Sequence, residues 1–121
     1  MGFIGEGNNK LICFLIHLEK TDPEIYAKLR EKAYKDLEVH SSDLTYMHAN
    51  ISVDEAINIA KVIVKIIDFI AWFFSDKKKT REEEVADFLS KYTRMELCES
   101  VRRVETMSHK EKIEHLAKYD D

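Results

Sequence analysis

After Gly7 the chain contains no glycine at all, and Pro23 is its only proline. Hairpins and tight turns draw on both residues, because one tolerates positive φ and the other presets a bend. A chain of 121 residues this poor in them cannot be a succession of short strands. The expectation is an all-α fold: a compact single-domain bundle of five to six helices around a central hydrophobic helix at about 53–75. Residues 1–8 read as a flexible N-terminal lead and residues 9–121 as the bundle. At 14.2 kDa such a domain buries about two-thirds of its unfolded surface.

The helix starts are marked in the sequence. Thr21/Glu24, Ser52/Glu55, Thr80/Glu83, Thr93/Glu96 and Ser108/Glu111 each place a hydroxyl three residues before a glutamate. At that spacing the hydroxyl accepts the N3 backbone N–H while the glutamate reaches back to the N-cap N–H. With 12 Ser/Thr and 14 Glu in the chain, chance supplies only about 1.4 such pairs. The pairs therefore predict helices beginning near residues 22, 53, 81, 94 and 109.

Apolar spacing fills in the rest. Residues 9–20 form a helix that is apolar nearly all round, through Leu11, Ile12, Phe14, Leu15, Ile16 and Leu18. The second helix, with Thr21 as cap and Pro23 at N1, runs to about Glu38 and buries Ile25, Leu29, Ala33 and Leu37, leaving Tyr26 and Tyr34 on the margin. Residues 39–51 connect onward, with one helical turn within 43–48. Between Ile57 and Phe74 only Asn58, Lys61, Lys65 and Asp68 are polar, on a single seam, so neighbours pack this helix on most sides. It is too interrupted to span a bilayer, which calls for about 20 uncharged apolar residues. The buried stripe at Val85, Phe88, Leu89 and Tyr92 faces away from that at Leu97, Cys98, Val101 and Val104. No straight helix buries both, which places a break at Thr93. Ser108 opens the last helix.

The net charge of −4 does not describe a broadly basic nucleic-acid protein. Cys13 and Cys98 lie in apolar helical patterns and read as buried thiols in a reducing compartment. Residues 10–18 lack the cleavage site of a signal peptide, and Glu6 stands where a myristoylation motif needs Ser or Thr, so the expected location is cytoplasmic. Glutamine is absent while lysine and glutamate each occur 14 times, a thermophile-like composition.

Residues with chemical potential fall into four groups. Lys77, Lys78, Lys79 and Arg81 form a local basic loop suited to a nucleic-acid backbone, although Glu82, Glu83 and Glu84 follow it directly. Phe69, Trp72 and Phe73 give the central helix an aromatic end of the kind that anchors a partner. Residues 81–92 and 94–106 have the spacing of a helix-turn-helix, whose second helix offers Arg94, Met95, Ser100, Arg102 and Arg103 to a groove. Antiparallel bundle packing accounts for the same spacing, and no glycine marks the turn. His40, His48, His109, Glu111 and His115 match no zinc or di-iron pattern, and no Gly-rich phosphate loop follows a strand, so no metal or cofactor is expected.

Arg103 and His109, five residues apart at a helix junction, resemble the Arg-x4–6-His motif of HEPN ribonucleases, which are small helical bundles and usually dimers. The resemblance covers those two residues. It implies metal-independent RNA cleavage, with Arg103 stabilising charge on the phosphate and His109 moving protons.

The reading that best unites these features is a non-enzymatic helical interaction subunit of a larger, nucleoprotein-type assembly. Small subunits of CRISPR-type effectors are similar in size and class. Its expected partners are other proteins or a second copy, with nucleic acid at the basic loop. A DNA-binding regulator and a HEPN-like nuclease are the alternatives.

Overall fold

The computed structural model describes residues 8–65 and 79–120. Among these the chain forms seven helices: α1 (Asn9–Thr21), α2 (Pro23–His40), α3 (Leu44–Met47), α4 (Val53–Ile63), α5 (Arg81–Leu89), α6 (Arg94–Thr106) and α7 (His109–Tyr119). The fold is an all-α bundle, as the shortage of glycine and proline requires. Of the expected central helix at 53–75, residues 53–65 are described. They form α4 and a closing 3-10 turn at 64–65.

The helix starts stand where the Ser/Thr and Glu pairs put them, with one correction. Thr80, Thr93 and Ser108 each close a full reciprocal box with Glu83, Glu96 and Glu111. Ser52 accepts from the Glu55 N–H at 3.2 Å and its hydroxyl donates to Glu55 Oε1 at 3.3 Å, but the Glu55 carboxylate does not reach back to the Ser52 N–H. Thr21 is not a cap at all: it is the last residue of α1, and Asp22 caps α2 by accepting from the N–H groups of Glu24 and Ile25. Pro23 decides this. A proline preset for N1 makes the residue before it the N-cap, and Asp caps at least as well as Thr.

Two other expectations shift. Asn8, assigned to the lead, stands at the N-cap position of α1 and is buried. Tyr26, expected at the margin of α2, is buried, while Ile25 and Leu37 are only partly covered. The stripe is displaced because α2 packs against α1 and α6 as well as against α4. The Tyr26 hydroxyl meets its hydrogen-bonding need by donating to Glu105 of α6 at 3.2 Å. Arg30 donates to the same carboxylate at 3.3 Å.

Among the described residues α1 is the most enclosed helix. Leu11, Ile12, Cys13, Phe14, Leu15, Ile16 and Leu18 are all buried in it. It touches α2, α6 and α7, and the Phe14 ring meets Phe88 of α5 with centroids 5.4 Å apart. The break at Thr93 follows from packing: α5 lies against α4, whereas α6 turns its buried residues toward α1 and α2. A single pair of backbone bonds ties the two connections together. The Ile51 N–H donates to Tyr92 O at 2.9 Å and the Arg94 N–H to Ala49 O at 3.2 Å. No helix among the described residues is long and apolar enough to cross a membrane.

Candidate functional site

The chemistry most concentrated in this structure sits where α2, α4 and α6 meet. Arg94, the first residue of α6, is buried to 9% exposure. Its guanidinium donates from Nε to Glu55 Oε1 at 3.1 Å, and from Nη2 to the same oxygen. Nη1 donates to the carbonyls of Tyr46 at 3.2 Å and Asn50 at 3.3 Å. The Tyr46 ring lies flat against the group, 4.1 Å from the guanidinium carbon, a favourable cation–π placement. On the other side of Glu55, Lys32 donates to Oε2 at 3.0 Å and, one turn along α2, to Asp36 at 3.0 Å.

The electrostatics follow from that geometry. Burial disfavours the Glu55 carboxylate, but hydrogen bonds from Arg94 and Lys32 outweigh it and hold the group at about 2. Burial likewise works against the charges of Lys32 and Arg94, and their carboxylate partners raise both above their ordinary values. The charges of Glu55, Lys32 and Arg94 are therefore fixed at neutral pH, which suits none of the three to general acid or base work there.

Beside this network runs a groove of about 260 Å³ between α2 and α4. Ile25, Leu29, Ile59, Val62 and Ile63 form its walls, and Lys28, Lys32, Glu55 and Asn58 its polar rim. Val62, on the groove's edge, is 49% exposed. Lys28 makes no ion pair with any described residue, unlike Lys32 across the same rim. Such a site is apolar, concave and sparingly polar.

The residues singled out from the sequence are dispersed. Phe69, Trp72 and Phe73 lie outside the described residues, as do Lys77 and Lys78. Lys79 is exposed and pairs with Asp87 at 2.5 Å, which reduces the charge the loop offers. Arg81 is exposed at the first position of α5. Arg103 and His109 are both exposed, and no hydrogen bond or ion pair joins them. The charge of Arg103 is felt instead at Glu111 and His115, while His109 lines a second cleft between α1 and α7. Two members of the expected groove-reading face are internal: Arg94 in the network above, and Ser100 with no exposure.

The two thiols are inert. Burial pushes Cys13 up to about 12 and Cys98 up to about 11, and the Cys98 thiol donates to Ala33 O at 2.9 Å. No group of three or more His, Cys, Asp and Glu residues suited to a metal ion occurs among the described residues. Sequence reasoning missed Lys32, Asp36 and Glu55 as members of one cluster. Only the Lys32/Asp36 spacing of four residues carried any signal. No family model matches the chain, and no curated protein or solved structure is similar enough to it to count as a match.

Proposed function

We propose that this protein is a non-enzymatic interaction subunit, and that the α2–α4 groove receives an amphipathic helix of a protein partner. One observation carries the reading: an aliphatic groove with a half-exposed Val62 lies open beside Lys32, Glu55 and Arg94, whose charges are fixed at neutral pH. The occupant is a helix because the walls repeat at helical spacing, Ile25 with Leu29 on α2 and Ile59 with Val62 and Ile63 on α4. It carries a carboxylate, because Lys28 is the rim cation that makes no ion pair among the described residues. Nucleic acid is a narrower expectation. Of the four loop cations, Lys79 is engaged by Asp87, and three glutamates follow Arg81 in the first turn of α5.

The test is native mass spectrometry of the tagged protein isolated from its own host, beside Val62→Asp and Lys28→Glu variants. Both substitutions are at exposed positions, and circular dichroism should show the fold intact in each. The expected result is a stoichiometric protein complex that both variants lose. A complex that survives both substitutions rejects the groove. Metal-independent RNA cleavage by the isolated chain, abolished by His109→Ala, rejects the non-enzymatic reading in favour of the HEPN-like one. A salt-sensitive shift of duplex DNA, lost in Arg102→Ala, favours the regulator.

A further inference from the structure

The space between α1 and α7 is a cleft of about 300 Å³, a volume within the range of small-molecule pockets. Its apolar lining is Ile16 from α1 with Ile113 and Leu116 from α7. Ile16 is buried, whereas Ile113 is 54% exposed and α7 has no buried residue at all. The aliphatic groups of α7 are thus brought up to the core without being closed into it. Their unfilled side forfeits dispersion contacts that a ligand would supply.

The polar lining leaves one charge over. Lys112 donates to Glu19 at 2.6 Å from one helix to the other, so these two compensate each other. Lys20 lines the same cleft, is exposed, and makes no ion pair among the described residues. The exposed His109 side chain, without a hydrogen bond among the described residues, adds an N–H donor. Spacing then orders the groups. His109, Ile113 and Leu116 share one face of α7 at steps of four and three, which passes from polar to apolar over about 10 Å at about 1.5 Å per residue. On α1, Lys20 stands one turn beyond Ile16. These features exclude two ligand classes. A phosphate or nucleic-acid backbone would meet Glu19 and leave the apolar walls unused. A neutral hydrocarbon would cover Lys20 without pairing it, at the cost of ammonium hydration. One anionic head on an aliphatic chain satisfies both parts.

We propose that the α1–α7 cleft binds a free medium-chain carboxylate. Its carboxylate pairs with Lys20 and accepts from the His109 imidazole, and its chain lies along Ile16, Ile113 and Leu116. The polar-to-apolar face of about 10 Å suits a chain of about eight carbons. α7 keeps its seat on α1 throughout. This site is separate from the α2–α4 groove and stands or falls without it.

The test is an NMR titration of the full chain, labelled at its methyl groups, with sodium octanoate at low salt. The expected result is saturable movement of the Ile16, Ile113 and Leu116 methyl signals, with Ile59 and Val62 of the other groove unmoved. Hexanoate, shorter by two methylenes, should bind about tenfold more weakly. Octanol, which has the chain without the charge, should bind about fivefold more weakly than octanoate. Two variants at exposed positions separate the parts of the site. Lys20→Glu should weaken octanoate by about fivefold and leave octanol unchanged, whereas Ile113→Asp should weaken both. Movement that does not saturate, or that is equal at Ile59 and Val62, reports general adsorption and overturns the proposal. Octanol binding as tightly as octanoate, or Lys20→Glu weakening both ligands alike, overturns it as well.

Discussion

Replacing Arg94 by Met tests whether the α2–α4–α6 network holds the bundle together. Met nearly matches the length of the lost stem and fills the space against Tyr46, so the change removes charge and donors more than volume. Glu55 is left with Lys32 and the Ser52 hydroxyl, and the carbonyls of Tyr46 and Asn50 lose one donor each. The carboxyl at about 2, against an ordinary 4.5, sets a ceiling: a difference of about 2.5 pH units, at about 1.36 kcal/mol per unit, is about 3.4 kcal/mol. Glu55 keeps 23% of its side chain exposed, so water recovers part of this, and Lys32 retains another part. The expected loss at pH 7 is about 2–3 kcal/mol.

Urea unfolding followed by far-UV circular dichroism measures it. The midpoint should fall by about 1–2 M with an unchanged slope. The pH dependence supplies an independent sign. A carboxyl held low in the folded state contributes fully above its unfolded value and loses that contribution as pH falls toward the folded one. The gap between wild type and Arg94→Met should therefore be constant from pH 7 down to about 5 and narrow between about 4.5 and 2. Carbon-detected titration of Glu55 should show its carboxyl moving up toward 4.5 in the variant. An unchanged midpoint, or a gap of constant size down to pH 3, would refute the reasoning.

Two further substitutions probe local features. The Ser100 hydroxyl is fully buried and makes no hydrogen bond among the described residues, so Ser100→Ala, which also favours helix, should stabilise the protein by about 0.5–2 kcal/mol in the same urea assay. The cap of α2 separates two neighbours: Asp22→Ala should cost about 1 kcal/mol and Thr21→Ala nearly nothing, whereas a real cap at Thr21 would give the reverse order.

Much of the fold was legible because helix signals are local. A capping pair spans three residues and an amphipathic stripe repeats every three or four, so both survive in a single sequence without any knowledge of the neighbours. The phase jump between Tyr92 and Leu97 was readable for the same reason. The side that α2 buries was harder to read. Its stripe depends on helices arriving from two directions, and Tyr26 becomes an interior residue only because Glu105, 79 positions away, supplies the acceptor that makes burial affordable.

The candidate site was nearly illegible, and Glu55 shows why. In sequence it is the fourth residue of a Ser-x-x-Glu pair like the others, and its backbone N–H does bond to the Ser52 hydroxyl. In the structure its carboxylate could return to the Ser52 N–H or meet two cations. A bond from a buried guanidinium, reinforced by Lys32, is stronger than one from a neutral amide near water, so the cap loses its reciprocal half. The cost is small, because an exposed N–H at a helix start is satisfied by solvent. The partner that wins is 39 residues away in the chain, and no spacing rule reaches that far. A Ser-x-x-Glu pair thus fixes where a helix begins and leaves open what its glutamate does. Where the box is left half-closed, as in this chain at Ser52, the diverted carboxylate marks the place to look for contacts between helices.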